Sequence, residues 1–360
     1  MATRLDGKKG KTTDTDEDLR KLLEARSAVI KVVGVGGAGN NTISRMMQVG
    51  IIGAEIVAAN TDAQDLLYTD ADEKILLGKD LTKGLGAGAD PKVGGEAARE
   101  SREDIKEVLE GSDMVFITCG LGGGTGTGAS PIIADIAKKM GILTVGVITL
   151  PFTMEGKYRM DNAIGGLEEL RKCVDTLIVI PNDKLLEIVP DVSIVTAFKV
   201  CDEILVNAVK GITELVTKPG LVNLDFADIR AVMSSGGLAM IGLGESDTEQ
   251  RAVEAVEKAL NNPLLDVEIL GASGALVNVS GGDDISIKEC QEIVEAISSK
   301  LSPDAKIIWG AQISKELGNS VRALLIVTGV RGTQVYGVDS LFSDKKQKEI
   351  EKILGIEFVE

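Results

Sequence analysis

Residues 120–128 read Gly-Leu-Gly-Gly-Gly-Thr-Gly-Thr-Gly and follow directly on the apolar run Met114-Val115-Phe116-Ile117-Thr118-Cys119. Six glycines in nine positions at the end of a buried strand leave few things that such a segment can do. Without Cβ atoms, successive backbone N–H groups turn inward and converge on one anion, and the chain can approach it closely. The two threonines add hydroxyl groups without charge. A helix beginning near Ala129-Ser130-Pro131 would aim its N-terminal N–H groups and dipole at the same point. The segment predicts a phosphate cradle.

The surrounding pattern alternates strand and helix. Strands are predicted at residues 29–33, 56–60, 74–77, 114–119, 143–149 and 176–180, with helices at 40–49, up to 109, at 131–140 and at 162–173. Such alternation gives a parallel sheet covered on both faces, with ligands beyond the carboxyl ends of its strands. A helix running from Ser193 to about residue 216 is apolar on most faces, which places it in the interior between two parts of the chain. Beyond Asp225 the rhythm changes. Helices at 226–233, 248–260 and 287–301, with strands at 238–242, 275–279, 306–312 and 323–328, predict a smaller α/β unit. The expected organisation is an N-terminal tail and short helix over 1–27, a first domain over 28–217 ending in the central helix at about 193–216, a loop and second domain over 218–330, and a polar tail over 331–360.

Composition removes several function classes. The net charge of −16, from 39 basic and 55 acidic side chains, repels nucleic acid and anionic membranes, and means that self-association works against repulsion that cations relieve. Histidine is absent, which eliminates the usual general base, the usual zinc ligand and any Ser-His-Asp triad. The four cysteines, Cys119, Cys173, Cys201 and Cys290, form no C-x-x-C pair, which predicts reduced thiols in a cytoplasmic protein. No signal-peptide pattern is expected, and the longest apolar stretch, 142–150, is too short to insert directly into a bilayer.

A second glycine turn, Gly34-Val35-Gly36-Gly37-Ala38-Gly39, matches the dinucleotide fingerprint, with Asp62 placed to hold a ribose. Read alone it fits an NAD-dependent oxidoreductase, another phosphate site or a plain tight turn. The richer loop at 120–128 favours other phosphate chemistry, because a dinucleotide domain has no need of a second cradle. Asn40 and Asn41 add polar groups at the helix start. A third segment, Gly84-Leu85-Gly86-Ala87-Gly88-Ala89-Asp90-Pro91, is either a flexible surface loop or a third wall around a triphosphate.

The motif at 122–128 resembles the signature of the tubulin/FtsZ family. Gly36-Gly37-Ala38-Gly39-Asn40-Asn41, Asn60-Thr61-Asp62 and Asn223-Leu224-Asp225-Phe226-Ala227-Asp228 are similar to its FtsZ branch, in the family's order and over about 28–329. The N-terminal extension and short tail are closest to the archaeal type. The resemblance implies a Rossmann-like parallel-sheet GTPase domain joined by a long central helix to a smaller α/β domain. It implies GTP/GDP and Mg²⁺ as ligands, head-to-tail polymerisation, and a place in the cytoplasm at the midcell division ring. Gly37, Ala38, Gly39, Asn40, Asn41, Gly124, Thr125 and Gly126 fall on the family's phosphate positions, and Glu155 and Arg159 on its ribose positions. Phe198 and Asp202 fall where the family packs and reads guanine; adenine lacks both donors that such a carboxylate accepts.

By spacing alone, Asp225 and Asp228 are helix-capping carboxylates, which would suit a GTP-binding scaffold that does not hydrolyse. The resemblance implies instead that they are catalytic and act on the nucleotide held by the neighbouring subunit. It also implies membrane-anchoring and other division proteins as partners. The short tail departs from the long bacterial linker, and its end, Ile356-Glu357-Phe358-Val359, reads either as an adaptor-binding peptide or as a frayed terminus.

Overall fold

Runs of valine and isoleucine too short for helices become strands buried on both faces, because β-branched side chains suit a pleated surface covered on each side. The computed structural model describes residues 28–184, 193–217, 221–222, 225–234, 236–262 and 272–330. The short helix expected within 1–27, the polar tail over 331–360, and the motif residues Asn223 and Leu224 lie outside the described residues. The described strands are β1 (Ile30–Val35), β2 (Ala54–Asn60), β3 (Glu73–Leu76), β4 (Met114–Gly120), β5 (Leu143–Leu150), β6 (Thr176–Pro181), β7 (Gly237–Ser246), β8 (Gly274–Gly281), β9 (Lys306–Ile313) and β10 (Val321–Thr328). They form one sheet in the order β3-β2-β1-β4-β5-β6-β7-β10-β8-β9. Pairing is parallel from β3 through β7, β10 runs antiparallel to β7 and β8, and β9 is parallel to β8. The winding reverses between the neighbours β1 and β4, so the crevice at their carboxyl ends is the natural ligand position.

The helices are α1 (Gly36–Val49), α2 (Ala63–Tyr68), α3 (Lys79–Thr82), α4 (Pro91–Glu100), α5 (Arg102–Leu109), α6 (Thr125–Lys139), α7 (Lys157–Cys173), α8 (Ile194–Thr217), α9 (Phe226–Met233), α10 (Arg251–Leu260) and α11 (Ile287–Ser298). Alternation along each strand sends residues to opposite faces. Ile30 and Val32 of β1 pack with Ile43 and Met46 of α1 and Val206, Val209 and Ile212 of α8. Val33 and Val35 pack on the other face with Ile105 of α5 and Ala129, Ile133 and Ala137 of α6. The core along α8 continues to Leu276 of β8 and to Leu324 and Ile326 of β10. A third cluster joins Val277 and Leu325 to Val256 of α10 and Ile293 of α11. The central helix thus underlies both parts of the sheet, as its all-round apolar pattern requires. Three parallel pairs, Thr176↔Gly237, Leu177↔Leu238 and Ile178↔Ala239, make the sheet continuous between those parts.

Two helix starts differ from expectation. Helix α1 begins within the first glycine turn, at Gly36 rather than residue 40, and α6 begins within the second, at Thr125 rather than residue 131. Pro131 lies inside α6 and does not mark its first turn. What holds the early part of α6 is close packing: a Cβ on Gly128 would overlap the Pro91 carbonyl oxygen and lie 2.6 Å from the Gly95 nitrogen of α4. The single helix expected up to residue 109 is two, with Ser101 Oγ at the junction accepting from the Gly78 N–H at 3.0 Å. The third glycine segment does not line the cleft between the other two turns; it packs behind the second. Its Gly86 N–H donates to the Thr61 carbonyl at 3.1 Å, and buried Ala87 sits where a Cβ on Gly124 would come within 2.8 Å.

Candidate functional site

Each of the adjacent strands β1 and β4 ends in a glycine turn that becomes a helix, so α1 and α6 present their N-termini side by side. Val35 precedes α1 and Gly124 precedes α6, and neither makes a side-chain cap hydrogen bond. Neither helix has an acidic residue in its first turn. The first four N–H groups of a helix lack intrahelical partners, and its N-terminus carries partial positive charge. Two such ends border one cleft of about 460 Å³. One wall of it is Gly36, Gly37, Ala38, Asn41, Gly123, Gly124, Thr125 and Gly126, and the other includes Glu155, Arg159, Asn182, Phe198, Cys201 and Asp202. A Cβ on Gly123 would meet nothing within 4 Å, so this part of the wall is open space. The donor set fits a bound polyphosphate.

The glycines and threonines of 120–128 divide their tasks. Gly124 and Gly128 have backbone or Ala87 where a Cβ would stand, so they set helix packing as well as shaping the loop. Thr127 Oγ1 accepts from the Gly122 N–H at 2.9 Å and pins the turn, while Thr125 Oγ1 lies 2.6 Å from Thr61 Oγ1 and ties the cradle to the end of β2. Gly39 and Asn40 stand behind the cleft wall. A Cβ on Gly39 would approach the Thr118 carbonyl oxygen at 2.5 Å, so this glycine lets α1 pack on β4. Asn40 is 1% exposed; its Nδ2 donates to Asp65 Oδ2 at 3.2 Å, and Asn60 Nδ2 donates to the same oxygen at 2.6 Å. Asn40 Oδ1 is buried without a hydrogen-bond partner. Asp62 lies outside the cleft lining: its Oδ1 accepts from the N–H groups of Gln64 and Asp65 at 2.9 and 3.1 Å and caps α2. A dinucleotide reading loses its acidic partner.

At the far end of the cleft Phe198, 43% exposed, meets Phe152 edge to face with centroids 5.4 Å apart. One helical turn on, Asp202 Oδ1 accepts from Thr42 Oγ1 at 2.7 Å. Burial pushes the Asp202 carboxyl above its ordinary value, opposed by the Thr42 hydrogen bond and by Arg45. Burial likewise pushes the Cys201 thiol up to about 12; it stays protonated and donates to Asn182 Oδ1 at 3.3 Å, which is no setting for a nucleophile. Glu155 accepts from the Phe152 N–H at 2.9 Å and from Arg159 Nη1 at 2.6 Å. Their i,i+4 spacing suits one helical face, but the two residues do not share a helix. Glu155 ends a 3₁₀ turn (Thr153–Glu155), and Gly156, with φ 97°, separates it from α7.

Thr42 and Asn182 are cleft residues that motif spacing missed. Thr42 continues the Asn40-Asn41 pair along α1, and Asn182 follows β6 at the carboxyl end of a parallel strand, so both stood where such folds place ligand contacts.

Asp225 and Asp228 lie elsewhere. Both are exposed, and Asp225 precedes α9 without a side-chain cap hydrogen bond. Arg230 of the same helix donates to the Asp113 carbonyl at 3.2 Å, at the amino end of β4. The seven residues of β4 extend about 20 Å, and the cleft is at its other end. The two aspartates are therefore remote from the cleft of their own chain.

This geometry has relatives. A model of the GTPase domain of the Tubulin/FtsZ family matches residues 29–190, and a model of the FtsZ family C-terminal domain matches 237–331. The chain is similar to Cell division protein FtsZ 1 of Thermococcus kodakarensis, 63% identical over 343 residues, 94% of this chain and 91% of that one. FtsZ 1 of Methanocaldococcus jannaschii is 61% identical over 316 residues, 88% of this chain and 87% of its own. The solved structure of an empty FtsZ dimer from M. jannaschii superposes with TM-score 0.85 at 61% identity, covering 89% of this chain and 93% of that one. CetZ2 from Haloferax volcanii, at 21% identity and TM-score 0.74 over 90% of this chain and 99% of that one, shares the fold. With both family models matched in order on one continuous sheet, the chain belongs to the FtsZ branch of the tubulin/FtsZ family.

Proposed function

We propose that the chain is a GTPase of the division ring that polymerises head to tail, with each active site completed by the next copy. The observation that carries this is a separation. The cleft bordered by the two glycine turns lies at the carboxyl ends of the parallel strands, and the exposed Asp225 and Asp228 lie toward the opposite end. Stacking one copy on another in the same orientation brings the aspartate end of one over the cleft of the next, which repeated gives a filament.

In this reading the N–H groups of the two glycine turns and the side chain of Asn41 hold the phosphates, and Glu155 and Arg159 hold the ribose. The Phe198 ring packs on the purine, and Asp202 accepts from guanine N1–H and the 2-amino group. Gly39 and Asn40 support this wall from behind. Asp225 and Asp228 of the adjoining copy position the attacking water, a role that needs no histidine and no covalent intermediate. Mg²⁺ would be carried by the phosphates of the bound nucleotide and would neutralise charge on their oxygens. Exposed Leu85, bridged to Asp62 after β2, and Met154, beside Glu155, supply apolar contact area for stacking at the carboxyl ends of the strands.

Asp225 makes no capping bond, which favours the catalytic role over the capping one and a hydrolysing polymer over a passive scaffold. The tail at 331–360 is assigned to membrane-anchoring partners. No helix among the described residues is long and apolar enough to cross a membrane, and the proposed place is the cytoplasmic face of midcell.

The test is phosphate release per protomer against protein concentration, with light scattering in GTP and Mg²⁺ alongside. Turnover per protomer rising with scattering is the expected result. A turnover already maximal at concentrations too low for scattering would show a site complete in one chain.

A further inference from the structure

One hydrogen bond at the base end of the cleft joins the two walls. Thr42, on α1, is 2% exposed, and its Oγ1 lies 2.7 Å from Asp202 Oδ1 on α8. The same hydroxyl lies 3.1 Å from the carbonyl oxygen of Ala38, in the glycine turn that faces the phosphates. A threonine hydroxyl carries one proton and can donate to one of these acceptors at a time. An ionised carboxylate is the stronger acceptor, so with Asp202 charged the proton lies toward Oδ1. With Asp202 protonated, the carboxyl O–H donates to Oγ1 and the threonine proton turns back to Ala38.

The carboxylate torsion of an aspartate is broad, and only its partners fix the plane of the two oxygens. Among the described residues Thr42 is the one hydrogen-bond donor to Asp202. Arg45, on α1, faces it as a charge but is engaged with Glu203 at 3.3 Å. Glu203 and the Cys201 thiol adjoin it on α8. Glu155 stands across the cleft with Arg159.

We infer that Thr42 is a positioning residue for guanine recognition: its hydroxyl fixes the Asp202 carboxylate in the orientation that accepts two donors from the base. The inference rests on the guanine-binding reading above and deepens it. One lone pair of Oδ1 goes to Thr42, and the remaining acceptor positions of the carboxylate stay directed at the cleft. The alternative is that the hydroxyl does no more than bond back to the preceding turn of its own helix, a common local use of threonine. That role is structural, and loss of the hydroxyl would then act on stability without acting on the base.

The experiment compares the full wild-type chain with Thr42→Val, Thr42→Ala and Thr42→Ser. Binding of GTP, ATP and inorganic tripolyphosphate is measured across pH, with a thermal melt for each variant. The expected result is that Thr42→Val and Thr42→Ala lower GTP affinity about tenfold or more, the size of a hydrogen bond to a charged group. Tripolyphosphate affinity stays as in the wild type, because the phosphate wall is intact. The pH below which GTP affinity falls moves upward, because a donor that favoured the ionised carboxylate is gone, and Thr42→Ser restores both. The inference is overturned if the hydroxyl-free variants bind GTP with wild-type affinity and pH profile, or lose tripolyphosphate in the same proportion. It is equally overturned if Thr42→Ser fails to restore what alanine removes. A wild-type chain that does not prefer GTP to ATP overturns the guanine reading itself, an outcome seen before any variant is compared. Should valine prevent folding, the alanine and serine pair decides the matter.

Discussion

Replacing Gly128 and Gly123 separately by alanine distinguishes the two tasks assigned to the glycine-rich loop. A Cβ at Gly128 overlaps the Pro91 carbonyl oxygen and stands 2.6 Å from the Gly95 nitrogen. Its neighbours are backbone atoms of α4, which cannot swing aside as a side chain does. To admit the methyl, α4 must lift from α6, loosening the face formed by buried Gly94, Gly95, Ala97 and Ala98. Overpacking of this kind costs about 1–3 kcal/mol, and backbone clash places this case at the upper end. The better helix propensity of alanine returns about 1 kcal/mol. A net loss of about 2 kcal/mol lowers Tm by about 3 °C in a chain of this size. Gly123 is the converse. A methyl there meets open space, so stability should change by less than about 0.5 kcal/mol, while the methyl occupies room at the cleft wall and weakens GTP binding. The assay is a circular-dichroism melt without nucleotide beside a fluorescence titration with labelled GTP. A Gly128→Ala protein that melts like the wild type but no longer binds GTP would refute the division, as would a Gly123→Ala protein that is destabilised yet binds normally.

Phe198→Ala removes the ring that packs on the purine and its edge contact with Phe152; GTP affinity should fall about threefold to tenfold, with tripolyphosphate binding unchanged in the same titration. Arg251 holds Glu289 at 2.6 Å and Asp284 at 2.8 Å, and the guanidinium keeps the Glu289 carboxyl down at about 2, against an ordinary 4.5. Because the folded value lies below the unfolded one, this pair stabilises fully above the unfolded value, and that stability is lost as pH falls from about 4.5 toward 2. Arg251→Met should flatten the decline of the urea midpoint over that window; an unchanged acid limb would show that other carboxylates set it. Asp225→Ala should retain GTP affinity and melting temperature while phosphate release falls by about 100-fold or more. Loss of GTP binding would instead make Asp225 structural.

The strand and helix order was legible because its signals are local: apolar runs such as 114–119 bounded by glycine name a buried strand and its end. The start of α6 was not, because its first turn is held by the fit of Gly128 against Pro91 and Gly95, a contact between helices that no local propensity records. The glycine turns announced an anion site without naming the anion. Phe198 illustrates the limit: helical spacing alone makes it one more apolar residue of a buried helix, and it was singled out only by family resemblance. Asp62 shows the converse: at the end of a strand it has the position of a ribose ligand, while its oxygen caps the next helix and it lies outside the cleft lining. Thr42 had only its place after Asn40-Asn41 to mark it, and nothing local pointed to its partner. Its partner is 160 positions away, and only the packing of α1 on α8 brings the two together.

The central claim is that the cleft of one copy is completed by the aspartates of another, and mixing two inactive chains tests it most directly. One carries Asp225→Ala and Asp228→Ala with the cleft intact; the other carries Asp202→Ala with the aspartates intact. Phosphate release is measured for each alone and for equal mixtures at concentrations that scatter light with GTP and Mg²⁺. The account predicts that the mixture turns over GTP well above the sum of the two separate rates, since junctions form in which an intact cleft meets intact aspartates. A mixture that assembles and yet releases phosphate only at the sum of the separate rates would contradict it.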